Sequence, residues 1–311
     1  FLLHGKYKII VSNAFSCAII KASTTIGSKK MPSTYAHYVF GKNMLKRFPE
    51  EIAALAQAHR QLYDIGLHGP DILFYYHALT RNKVNSVGFG THERPAKEFF
   101  APAKDAAARG GDAARAYLLG FLCHFALDVT CHGYIENKIV VSDVRHTEIE
   151  SEFDRYLLEK EGKDALSAKL TGHIFATAEN ARVIAPFFAG LTAKQVQSSL
   201  KAMLTCNELV RAPGAFKRFL VNSVLRLSGN YREMHGMMMA KHPIPACRDS
   251  NLRLEKLMKK AEGECLSLLA DYRAYEGGAP LSSAFDRTFG AGEGWQKIPV
   301  LSEQEEKKYE V

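Results

Sequence analysis

Residues 112–135 read DAARAYLLGFLCHFALDVTCHGYI. Apolar residues fall on nearly every side of this helix-length run, so it must be buried over most of its circumference. Set within it, four residues apart, are His124, Asp128 and His132. Residues four apart differ by about 40° around a helix axis, which makes the three one stripe roughly two turns long. Ionisable groups in an apolar interior are costly when left unpaired. A divalent cation offsets that cost, and imidazole nitrogen and carboxylate oxygen are ordinary zinc ligands.

Further on, His146 and Glu150 are again four apart, the spacing at which two adjacent helical turns can grip one ion. Upstream, Asp71 follows Gly69 and Pro70 at a helix start, His92 lies in a glycine-containing stretch, and His37 lies near the first helix. Each has an ordinary reading when taken alone. A lone buried histidine is usually a satisfied core residue, Asp71 suits a helix cap, and Glu150 suits a surface carboxylate. Two helical pairs close in sequence, with further His and Asp upstream, favour a metal site holding more than one ion. His59, His173, His235 and His242 keep the ordinary reading. His68 and His77 flank Asp71 and are candidates to support ligands rather than to be ligands. Phe74, Tyr75 and Tyr76 read as core rather than as a substrate platform.

The rest of the chain is helical in pattern, with no convincing alternation of β-branched residues. Helices are expected at 37–48, 50–66, 95–111 (kinked or split at Pro102), 112–135, 146–162, 193–211, 216–229 and 250–274. Residues 80–95 and 275–294, rich in glycine and polar residues, read as loops. The predicted fold class is all-α: a single multi-helix bundle over residues 31–300, with the histidines and carboxylates suited to more than one metal ion. Residues 301–311 are expected to be a solvated charged tail.

The net charge of +8 overstates the basic character of the fold. Residues 1–30 hold five lysines and no acid, and without them the charge is +3. Charge alone is therefore a weak argument for nucleic acid, although that partner is not excluded. Met31 looks like a chain start, so residues 1–30 read as an extension outside the fold. The alternative is a signal segment and a secreted protein. The six cysteines include no C-x-x-C pair, which argues against a disulfide framework and points to a reducing, cytoplasmic setting. No apolar run approaches the ~20 residues of a membrane span.

Four stretches carry a resemblance: MPSTYAHYVFGKNML, GPDILFYYH, HFALDVTCHGYI and HTEIESEFDRYLL. Together they resemble the bacterial zinc-dependent phospholipase C family over roughly residues 31–160. The resemblance implies an all-α fold holding two or three Zn2+ ions. It implies that Asp71, His92, His124 and Asp128 hold one ion, and that Asp128 bridges to a second ion bound by His37. His132, His146 and Glu150 would hold the third. The chain departs from the family pattern in two places. Secreted members separate the equivalents of Asp128 and His132 by five residues, against three here. They also use a free N-terminal amine as a ligand at the second zinc, whereas here thirty residues precede Met31.

The implied activity is phosphodiester hydrolysis by water activated at the metals, with Asp71 orienting or deprotonating that water. No covalent intermediate and no Ser or Cys nucleophile is implied. The expected substrate is a phospholipid or another phosphodiester. The alternatives are a nuclease or nucleotidase with the same metal chemistry and a non-catalytic metal-binding helical domain. The segment FKRFLVNSVLRL (216–227) is expected to pack its apolar face on the bundle, with peripheral contact to an anionic membrane as the alternative. The methionines of MHGMMMAKHP suit either the core or an acyl-accommodating mouth.

Overall fold

The computed structural model describes residues 34–311 except positions 79, 228 and 230. The readings of residues 1–30 and of a chain start at Met31 lie outside the described residues. In chain order the helices are α1 (Tyr35–Met44), α2 (Glu50–Ala58), α3 (Arg60–Gly66), α4 (Lys83–Glu93), α5 (Lys97–Val141), α6 (His146–Lys160), α7 (Ala178–Ile184), α8 (Ala193–Val210), α9 (Ala215–Leu227), α10 (Tyr231–Met234), α11 (Arg248–Glu276) and α12 (Glu303–Glu306). Short 3-10 turns link several of them, including Gly69–Leu73 after α3. No strand occurs among the described residues, and the fold is all-α.

Helix α5 is the axis of the bundle. By length and composition it could cross a membrane, against the sequence expectation, but 89% of its apolar window is buried inside the protein. Helices α3 and α11 pack along it. The α3 crossing is a contact between backbones: a Cβ on Gly66 would lie 2.2 Å from the Tyr117 carbonyl, and one on Gly120 would lie 2.1 Å from the Tyr63 carbonyl. Only glycine permits that approach. Aromatic rings fill the space around the crossing. Phe99 stacks on Phe121 at 3.7 Å between centroids. Phe285 and Phe289, from the segment between α11 and α12, pack on Phe100 and Phe125. Truncating any one of these rings to alanine should cost about 3–5 kcal/mol.

Several sequence expectations need correction. The 50–66 helix is two helices, broken at His59 (φ −116°, ψ 41°). The boundary expected between the 95–111 and 112–135 helices is present as a kink in α5 at Gly111 (φ 65°, ψ −155°), and the second helix runs on to Val141. Pro102 sits early in α5, where it removes one backbone bond without interrupting the helix. Residues 80–95 are not a loop, because they contain α4. Asn82 accepts from the backbone of Val84 and Asn85, and the Asn85 side chain accepts from the Asn82 N–H. This reciprocal cap starts a helix despite its glycines. The 301–311 segment is mostly exposed, as expected of a charged tail, but it is anchored at one residue. Glu306 is fully buried, where its carboxylate takes two guanidinium hydrogen bonds from buried Arg253 at 2.7 and 3.0 Å. Alternating charge in the sequence concealed one carboxylate with a long-range partner on α11.

Candidate metal centre

The Gly66–Gly120 crossing sets the site. It holds the end of α3 against α5, so the 3-10 turn that follows runs directly under His124. Gly69 has φ +49°, and a Cβ there would lie 2.2 Å from His124 Cδ2. Asp71, two residues on, is thereby delivered to the His124 ring. Helix α4 closes on the same turn through Gly88, whose Cβ would sit 3.0 Å from the Pro70 carbonyl. One turn further along α4, His92 Nε2 reaches Asp71 Oδ1 at 2.9 Å. Helix α1 supplies His37, which stacks on His124 with centroids 4.5 Å apart. Its placement follows from the start of α1, where the Asp154 carboxylate of α6 accepts the backbone N–H groups of Thr34, Tyr35 and Ala36 at 2.7–3.2 Å. These are the unpaired donors of a helix N-terminus, which favour a negative charge.

Asp128 is the hub. Its Oδ1 lies 3.3 Å from His37 Nε2. Its Oδ2 lies 3.2 Å from His124 Nε2, 3.6 Å from His92 Nε2 and 3.9 Å from His132 Nδ1. A second knot lies one turn along α5, where Glu150 Oε1 is 3.1 Å from His146 Nε2 and 3.9 Å from His132 Nε2. All eight side chains singled out in the sequence come together here. Their ligand atoms form three groups, each within 4.8 Å: His37, His124 and Asp128; Asp71, His92 and His124; and His132, His146 and Glu150. The uninterrupted helix through His132 still turns that ring toward Glu150. All but His92 and His146 are fully buried.

These contacts are close without forming a satisfied hydrogen-bond network. Asp71 Oδ2, Asp128 Oδ2, Glu150 Oε2, both His124 nitrogens, His37 Nδ1 and His146 Nδ1 are buried with no hydrogen-bond partner. The 3.2 Å approach of His124 to Asp128 is therefore a charge contact without hydrogen-bond alignment. Buried polar atoms are nearly always paired. Three of these orphans converge, with His124 Nε2 3.6 Å from Asp71 Oδ2 and 3.2 Å from Asp128 Oδ2; that is what a donor set looks like when its shared partner is a cation, and these residue types fit zinc. Electrostatics agree. Burial would raise the Asp128 carboxyl, but the charges of His124 and His132 outweigh it and hold it well below the usual range. Burial likewise opposes ionisation of Glu150, yet His146 and His132 hold it at about 2. His132 is pushed up to about 9, because Asp128 and Glu150 overcome its desolvation.

Three supporting groups were not visible in the sequence. The Phe289 carbonyl lies 2.5 Å from His132 Nδ1. A carbonyl only accepts, so Nδ1 carries the proton and Nε2 is left to face Glu150. No local signal marks Phe289, which is 157 residues away in a glycine-rich segment. Asp154 did leave a trace, since it extends the His146–Glu150 spacing by another four residues. His173, read as ordinary, is buried, bonds His68 through Nε2 at 2.8 Å and stacks on Tyr38. The pair flanks the site, whereas exposed His77 turns away with φ 45°.

An all-α fold that gathers this many imidazoles and carboxylates around shared points carries candidate metal-binding clusters that fit zinc. The zinc-dependent phospholipase C family model matches residues 36–199, just over half of the chain, and the chain belongs to that family. No curated protein and no solved structure matches the chain significantly.

Proposed function

We propose that this protein is a zinc-dependent phosphodiesterase of phospholipase C type, which cleaves the phosphodiester between the lipid and its head group. The observation that carries the reading is the set of buried, unpartnered donor atoms on Asp71, His124, Asp128 and Glu150, inside the segment matching the family. His37, Asp71, His92, His124, Asp128, His132, His146 and Glu150 would hold the ions: His124 is common to the groups with His37 and Asp128 and with Asp71 and His92, Asp128 faces both His37 and His92 and would bridge them, and His132, His146 and Glu150 would form the third. Zinc ions in such a site supply Lewis acidity toward phosphoryl oxygens and activate water near neutral pH.

The chain's own contribution is placement. Asp71 is tied through Oδ1 to His92, while its buried Oδ2 has no hydrogen-bond partner and faces His124 at 3.6 Å. That oxygen can accept a hydrogen bond from the attacking water, orient it and receive its proton. A cavity beside Glu150 is also lined by Thr147, Asp154, Asn207, Arg211 and Arg218, so a phosphate entering it would meet guanidinium groups next to one carboxylate of the donor cluster. Among the described residues no Ser–His or Cys–His pair appears in the hydrogen bonds of the site, which favours direct attack by water over a covalent route. The test is metal analysis of the purified chain together with hydrolysis of p-nitrophenylphosphorylcholine, bis-(p-nitrophenyl) phosphate and single-stranded DNA. Co-purifying zinc with turnover of the choline ester is expected. Zinc with turnover of DNA alone would replace this reading with a nuclease, and zinc with no turnover would leave a metal-binding domain.

A further inference from the structure

Helix α9 has two apolar faces, and only one of them is used. Val221 and Leu225 turn inward and pack with Ala212 and Met238 in a small core of their own, against Val210, Tyr231 and Met234. On the other side Phe216, Phe219, Leu220 and Leu227 are 75%, 64%, 45% and 86% exposed. At 100° per residue these four fall within an arc of about 100°, so they form one stripe. The sequence expectation that this helix packs its apolar face on the bundle therefore holds for Val221 and Leu225 and fails for the larger residues. Contiguous exposed apolar stripes of this kind mark interaction surfaces.

The surrounding charge indicates the partner. Residues 211–231 contain four cations and no acid. Lys217 Nζ donates to the carbonyls of Glu208 and Arg211. Arg218 donates to the carbonyls of Ala212 and Met239, and Arg226 sits over the Tyr231 ring at 4.6 Å. On the same wheel Lys217 and Arg226 flank the stripe on either side, held by carbonyls and a ring that leave their charge uncancelled, whereas Arg218 turns to the inward face and Arg211 pairs with Glu208. Aromatic and leucine side chains flanked by Lys and Arg suit the boundary between acyl chains and anionic head groups. Position adds an independent argument. Arg218 lines the same cavity as Glu150, so the helix borders the space beside one carboxylate of the donor cluster.

We propose that α9 is a docking helix for an anionic phospholipid surface: Phe216, Phe219, Leu220 and Leu227 enter the interface while the adjoining cavity is held against the head groups. Docking stands on the helix alone; its link to catalysis rests on the phospholipase reading. The full chain and a Phe216→Ser/Phe219→Ser variant would be sedimented with phosphatidylcholine vesicles, with and without phosphatidylglycerol. The native chain should bind the anionic vesicles, and the variant about tenfold more weakly. Its melting temperature and its turnover of soluble p-nitrophenylphosphorylcholine should be unchanged, while vesicle hydrolysis falls. Equal vesicle binding by the two proteins would overturn the proposal. So would a native dimer that the variant dissolves, since the face would then belong to a second copy. Binding to anionic vesicles without hydrolysis of any ester would support docking and sink only the hydrolase reading.

Discussion

Helices α5 and α9 break the usual rule of burial in opposite directions. Helix α5 carries His124, Asp128 and His132 into the interior, whereas α9 leaves Phe216, Phe219 and Leu227 outside. Each arrangement is unfavourable in isolation, the first through desolvation of charge and the second through apolar surface left in water. In α5 the opposing groups come from four other elements, α1, α4, α6 and the turn at Asp71, so the polar stripe is locked into the tertiary structure. In α9 nothing within the described residues covers the stripe. The lesson is where each mutation should register: changes along the α5 stripe should affect chemistry and fold together, while changes on the α9 face should leave the fold intact.

The comparison can be broken most decisively at its hub. Asp128→Asn removes the charge that faces His37, His92, His124 and His132. It should lower hydrolysis roughly 10³-fold and release zinc, both measurable on one sample by metal analysis and ester turnover. Retained activity would show that the convergence on Asp128 is not functional. Next comes Gly120→Ala, which touches no donor. Its methyl must displace the Tyr63 carbonyl, at about 1–3 kcal/mol of overpacking. The shift should misplace Asp71 and cost about a hundredfold in turnover. A variant that loses stability but keeps full activity would show that the crossing does not position the site.

Chelation should abolish turnover along with the zinc; its effect on the fold is smaller and is read as stability. Ions bound a hundredfold above their Kd contribute about 3 kcal/mol per site, so chelator treatment should lower the melting temperature by roughly 6–12 °C per site. The least effect concerns the His68–His173 pair. Burial holds His173 at about 3 and His68 well below its ordinary value. Both therefore stay neutral in the fold while the unfolded chain takes up protons below about 6.5. Their contribution is intact above that pH and is lost as the pH falls toward 3, by about 1.4 kcal/mol per pH unit for each ring. His173→Phe keeps a ring over Tyr38 and should halve that slope in denaturation measured at successive pH values between 6 and 4.

Much of this was legible in the residues, for a definable reason. Helical spacing is local, so the stripes His124–Asp128–His132 and His146–Glu150 could be read directly. Their meeting with His37, Asp71 and His92 required the family resemblance, because no spacing rule joins residues on five separate elements. His92 was identified as a residue but given the wrong setting, since two glycines outweighed the Asn82–Asn85 cap. What could not be read was long-range: the Phe289 carbonyl behind His132, the partner of Glu306, and the use of Asp154. The exposure of Phe216 and Phe219 was equally hidden, because an amphipathic pattern says that one face is apolar without saying whether anything covers it.

The clamp of Asp154 on Thr34, Tyr35 and Ala36 has a practical corollary. Three amides at the mouth of α1 tethered to α6 make a helix some 120 residues distant in sequence responsible for the turn that carries His37. Removing that carboxylate, as in Asp154→Ala, would therefore loosen the aim of the imidazole without touching a donor.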